Sequence, residues 1–207
     1  MVATKSSSYE YTALSGLALL IAGIVLTLSI LGHPDETSHP EALATSLWQV
    51  VHFAILVALV LLLFGLVGLF ARTATKTGLL GLLGFVIAFA ATVLLAGLMI
   101  TEVSIIPALA QSPSAAQLLD EKGPLLGGLF GLIFLFTTSI YALGSVLYGV
   151  ALLLSRSVPK LPIVLIILGT PLLAFAPPLP YLLGKIGGAA MGIGWAWLGY
   201  FLWSGKH

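Results

Sequence analysis

The chain has 207 residues, of which 59% are apolar and only 7% charged, with a net charge of +1 and a mean hydropathy of +1.16. A water-soluble domain carries roughly 25% charged residues, so this composition excludes one of useful size. No basic block suits nucleic acid, and the absence of cysteine removes disulfides, thiolate metal sites and a cysteine nucleophile.

Six apolar runs stand between polar or proline-rich breaks. They predict an all-α, polytopic transmembrane helix bundle in a single membrane domain, 1–207. The first run covers about 11–31. It follows Lys5 as a signal peptide would, yet it leads into Gly32-His33-Pro34-Asp35 and not into a small-x-small cleavage site. It therefore reads as a retained first helix. The second and third runs cover about 47–71 and 77–100. In the loop that follows, 101–123, Ser112-Pro113 reads as an N-cap with proline at the first helical position. A short interfacial helix carrying Ala115, Ala116, Leu118 and Leu119 is expected there. The fourth run, about 124–154, would be ~46 Å long if wholly helical and must tilt or project. The fifth, about 161–176, contains Pro162 and Pro171, of which the second should kink it; the sixth covers 181–203.

Charge sorts by side. With the N-terminus inside, Lys5, Arg72, Lys76, Arg156, Lys160 and Lys206 are cytoplasmic, against Lys122 and Lys185 outside. Asp35, Glu36, Glu41, Glu102, Asp120 and Glu121 fall outside, and only Glu10 inside. Basic residues in short loops stay cytoplasmic, so both termini are expected there, with the chain in the cell's inner (plasma) membrane. A weak internal repeat links Gly65 to Arg72 and Lys76 with Gly149 to Arg156 and Lys160.

The residues that could carry chemistry gather at the outer face. His33, Asp35, Glu36, His39 and Glu41 follow the first helix, His52 lies early in the second, and Glu102 lies at the outer end of the third. Imidazole with carboxylate suits a divalent metal, and two histidines on different segments suit haem iron. His33, His52 and Glu102 are the candidate ligands, with Asp35 and His39 weaker ones. An ionisable group in a helical, lipid-bounded segment calls for a partner, so a direct His52–Glu102 pair is also expected. Thr137, Tyr141, Ser145 and Tyr148 share one face of the fourth helix and are candidates to line a cavity. Gly184, Gly188 and Gly192 recur every fourth residue in the sixth, as close helix packing requires.

No ionisable residue falls at the middle of any run, and no hydrolase, metalloprotease or phosphate-loop motif occurs, so no catalytic residue is assigned. The leading reading is a non-catalytic membrane protein, such as an accessory subunit, in contact with the bilayer and with copies of itself or a larger complex. A haem or metal protein, and a passive channel or carrier for a small neutral or lipid-like solute, are the alternatives.

Four short stretches carry a resemblance. They are Leu31-Gly32-His33-Pro34, Trp48 with His52, Glu102 before Ile106-Pro107-Ala108-Leu109-Ala110, and Gly194-Trp195-Ala196-Trp197-Leu198-Gly199-Tyr200. Together they make the chain similar to a broad group of multi-pass bacterial membrane proteins without an assigned activity. That resemblance implies a bacterial origin and a six-helix bundle, and no chemistry.

Overall fold

The computed structural model describes residues 3–120, 123–175 and 180–205, with the side chains of 3–9 and 116 excepted. The Lys5 side chain, Glu121, Lys122, Ala176 and Lys206, all used in the sequence reading, lie outside the described residues. All regular structure among the described residues is helical. The helices are α1 (Ala3–Gly32), α2 (Ser46–Ala110), α3 (Leu129–Ser155), α4 (Lys160–Ala174) and α5 (Tyr181–Trp203). Single 3-10 turns lie at Pro40–Ala44 and Ala116–Leu119. Three helices, α1, α2 and α3, are long and apolar enough to cross a membrane, while α4 is shorter at 15 residues.

The 65 residues of α2 would reach about 97 Å as a straight rod. They fold back instead. Gly78 has φ 60° and ψ −154°, a backbone region open to glycine alone. Its reversal stacks Phe70 on Phe85, with centroids 4.2 Å apart and planes 8° from parallel. At the far end Trp48 Nε1 donates to Glu102 O at 3.1 Å. Two antiparallel arms, 46–77 and 79–110, thus correspond to the second and third apolar runs, with no loop between them. The polar stretch before the hinge stays helical, and its hydroxyls are satisfied by the helix's own carbonyls: Thr73 Oγ1 to Leu69 O at 2.8 Å and Thr77 Oγ1 to Thr73 O at 3.1 Å.

Other boundaries differ from expectation for identifiable reasons. Turns occupy 124–127, and α3 starts only at Leu129, after Gly128 in extended backbone. The fourth run is thereby shortened to 27 residues. The expected interfacial helix shrinks to Ala116–Leu119, because too few residues precede Gly123 to repay nucleation. Pro162 sits in the first turn of α4, where its missing N–H costs nothing, and Pro171 lies within the helix near its end. The repeat also diverges: Arg72 continues a helix, while Arg156 takes a left-handed cap, φ 52°, that ends α3.

α1 packs on α5 and α2, α3 on α2 and α4, and α4 on α5. Small residues set how close they come. A Cβ added to Gly84 would fall 2.4 Å from Tyr148 N, and one on Gly144 2.3 Å from Ala88 N, so α3 touches the second arm of α2 backbone to backbone. Gly188 faces Ile30 and Leu173, Gly192 faces Thr27, and Gly184 is buried. The core between them contains Leu19, Leu62, Leu66, Tyr148, Ile166 and Trp195. Outside it the surface is apolar, with Leu14 63%, Phe64 62% and Leu154 73% exposed. So large an apolar surface marks contact with lipid or protein.

Candidate functional site

The end of α1, the start of α2 and the start of α5 meet at one end of the bundle. His33 N donates to Ile30 O at 3.3 Å as α1 stops. Asp35 then fixes the turn, its Oδ1 accepting from the Thr37 hydroxyl at 2.7 Å and from the backbone N–H groups of Thr37 and Ser38, both at 3.2 Å. Thr37 and Ser38 hold the Asp35 carboxyl down to about 2. His39 and Glu41 pair at 3.1 Å on the exposed surface. The Glu41 backbone N–H and then His39 hold that carboxyl below the usual range.

His33 and His52 come into direct contact, Nε2 to Nε2, at 3.3 Å. His33 Nδ1 lies 2.8 Å from Pro34 O, and His52 Nδ1 lies 2.9 Å from Trp48 O one turn earlier in α2. Glu36 Oε2 is 3.6 Å from His33 Nδ1; that oxygen is buried and has no hydrogen-bond partner. The Trp48 ring stacks on His52 with centroids 4.1 Å apart and planes at 30°, and meets His33 edge-on at 5.1 Å.

Glu102 is buried on the second arm, but its carboxylate is not hydrogen-bonded or ion-paired to His52 among the described contacts. The direct pair expected from depth gives way to a link through Trp48, which stacks on one residue and bonds the backbone of the other. Asp35 and His39 are engaged in their own turn and stand apart from the histidine contact. Among the described residues no group of three or more His, Cys, Asp or Glu converges as a ready metal site. Two nitrogens in contact also leave no slot for a haem plane between them.

Two residues at the site escape sequence reasoning. The Tyr181 hydroxyl donates to His33 O, and Lys185 Nζ donates to Leu31 O at 3.0 Å while lying 4.8 Å from the centroid of the Tyr181 ring. Their spacing of one helical turn at the start of the sixth run was the available signal.

The hydroxyl stripe lies elsewhere, inside the bundle. Thr137, Tyr141, Ser145 and Tyr148 are all buried, and two open hollows among the described residues lie away from them, at Tyr11, Ser15 and Arg72 and at Pro40, Glu41 and Asp120. Tyr148 shares a hydrogen bond with Thr73 at 3.1 Å, and Tyr141 donates to Met191 Sδ at 3.6 Å. The buried Ser145 Oγ and Trp195 Nε1 lie beside the Tyr141 hydroxyl. Tyr148→Phe should lower stability in detergent by about 0.5–1.5 kcal/mol, the usual worth of one hydrogen bond. The cost stays small because Thr73 keeps its bond to Leu69 O, and thermal unfolding is the check.

No protein-family model, curated protein or solved structure matches this chain. The reading of the site therefore rests on its own geometry.

Proposed function

We propose that the protein is a non-catalytic, multi-pass membrane protein of six spans, formed by α1, the two arms of α2, α3, α4 and α5. Both termini face the cytoplasm of a bacterial cell and the helices lie in its inner membrane. Its role is that of an accessory subunit, packed against further copies or a larger complex. The observation that carries this reading is where the polar groups go. Inside the bundle most are spent within the fold, as Thr92 Oγ1 is on Ala88 O at 2.7 Å and Thr170 Oγ1 on Ile166 O at 2.7 Å. The outer surface of α3, by contrast, offers Leu132, Phe136 and Leu143, all more than half exposed, to lipid or partner.

The ends differ in a way that supports the orientation. Arg72 lies over the Phe201 ring, 5.2 Å from its centroid, at the end where both arms of α2 meet. The acidic and histidine-bearing turns occupy the opposite end. A reporter active only outside the cytoplasm, fused after His207, is expected to stay silent, and one fused within the 33–45 loop to be active. A strongly active fusion at the C-terminus would overturn the six-span arrangement.

A further inference from the structure

We propose that His33 and His52 form a two-nitrogen binding site for one divalent metal ion of the zinc class at the outer face of the bundle. This site stands whether or not the chain serves as an accessory subunit. A carbonyl oxygen only accepts, so the His33 Nδ1 facing Pro34 O and the His52 Nδ1 facing Trp48 O both carry their hydrogens. A neutral imidazole has one N–H. When both rings are neutral, both Nε2 atoms present bare lone pairs, and they do so to each other at 3.3 Å. Two acceptors in contact repel, and a positive species bound to both relieves the repulsion.

The separation suits a metal. With metal–nitrogen bonds of about 2.05 Å, nitrogens 3.3 Å apart subtend an angle of about 107° at the ion, close to tetrahedral. A ring that ligates through one nitrogen while its other N–H donates to a carbonyl or carboxylate is the common outer-shell arrangement. Here both histidines have it.

One carboxylate adjoins the pair: Glu36 Oε2 is buried, without a hydrogen-bond partner, 3.6 Å from His33 Nδ1. Lys185, the cation on the adjoining helix, is turned onto Leu31 O and the Tyr181 ring. Trp48 walls one side. With no third protein ligand among the described residues, the remaining positions fall to water, which reaches the ion past the partly exposed His33. Imidazole donors select zinc, copper(II) or nickel over magnesium or calcium, and the near-tetrahedral angle favours zinc.

The test uses the full chain in detergent, stripped with chelator and titrated with zinc sulfate by calorimetry at neutral pH. Cobalt(II) serves as a second probe, through the visible band of a tetrahedral site. Wild type should take up one equivalent. His33→Gln and His52→Gln should each weaken uptake at least tenfold and abolish the cobalt band. His39→Ala, in the same loop but paired with Glu41, should bind as wild type does. If His52→Gln does not fold, His33→Gln still decides, because His33 lies at the edge of the site. The proposal is overturned if wild type shows no saturable uptake, as a pair holding only a proton would, or if His33→Gln binds as tightly as wild type.

Discussion

Replacing Gly23 by leucine is expected to abolish the folded state in mild detergent. A Cβ on Gly23 would fall 2.2 Å from Ala196 N and 2.5 Å from Gly192 O, so the obstruction is backbone that cannot swing aside. The same two helices also meet at Gly16 against Leu202, Gly192 against Thr27 and Gly199 against Leu20. Opening them at one point therefore loosens the whole seam between α1 and α5. Lipid is as apolar as leucine, so close packing and not the hydrophobic effect holds such helices together. Extra methylenes in a packed core cost about 1–3 kcal/mol, and a branched side chain driven into backbone should exceed that range. Gly97→Ala is the control, since nothing lies within 4 Å of its added Cβ. There the gain in helix propensity should stabilise by up to about 1 kcal/mol. Both are read by thermal unfolding monitored by gel filtration; a Gly23→Leu protein that melts with wild type would refute the described seam.

Trp48→Ala carries the second large expectation, a loss of about 3–5 kcal/mol, typical for removing a buried aromatic. Trp48 is only 4% exposed and packs with Ile106 and Leu119. It also supports the His52 ring and donates to Glu102 O across the α2 hairpin. Trp48→Phe separates these roles. It keeps a ring against His52 and removes only the indole bond to the Glu102 carbonyl, which stays within the helix ladder, and should cost about 0.5–1.5 kcal/mol. Equal losses for alanine and phenylalanine would show that the indole N–H, and not the ring, holds this end of the α2 hairpin together.

The helical segments were largely legible, because long apolar runs admit few alternatives and the breaks are marked by proline, glycine and charge. The hinge was misplaced for a physical reason. Arg72 and Lys76 look like a loop, whereas the chain turns only at Gly78, where the backbone can take a positive φ, and the threonine hydroxyls before it are satisfied by the helix carbonyls. At the other end of the bundle, His52 could be singled out as an ionisable group within a helical run and His33 as its neighbour in the preceding loop. Their mutual contact could not be read, because it depends on how the 33–45 loop turns. Nor could the place of Glu102: depth alone suggested a direct partner for His52, while the indole of Trp48 fills the space between. The α3 stripe shows the same limit, as periodicity put four hydroxyls on one face without revealing that Thr73 and Met191 press against it.

The single-residue turn at Gly78 has a consequence for rotational phase. An α-helix advances about 100° per residue, so inserting one residue at the hinge would rotate every side chain of the second arm by that angle relative to the first. Phe85 would leave Phe70, and, 54 positions apart, the Glu102 carbonyl would swing out from beneath Trp48. A flexible loop would absorb such an insertion. Here the hinge acts as an indexing pin: even a whole-turn insertion at 78, which restores the phase, slides the second arm about 5.4 Å along the first.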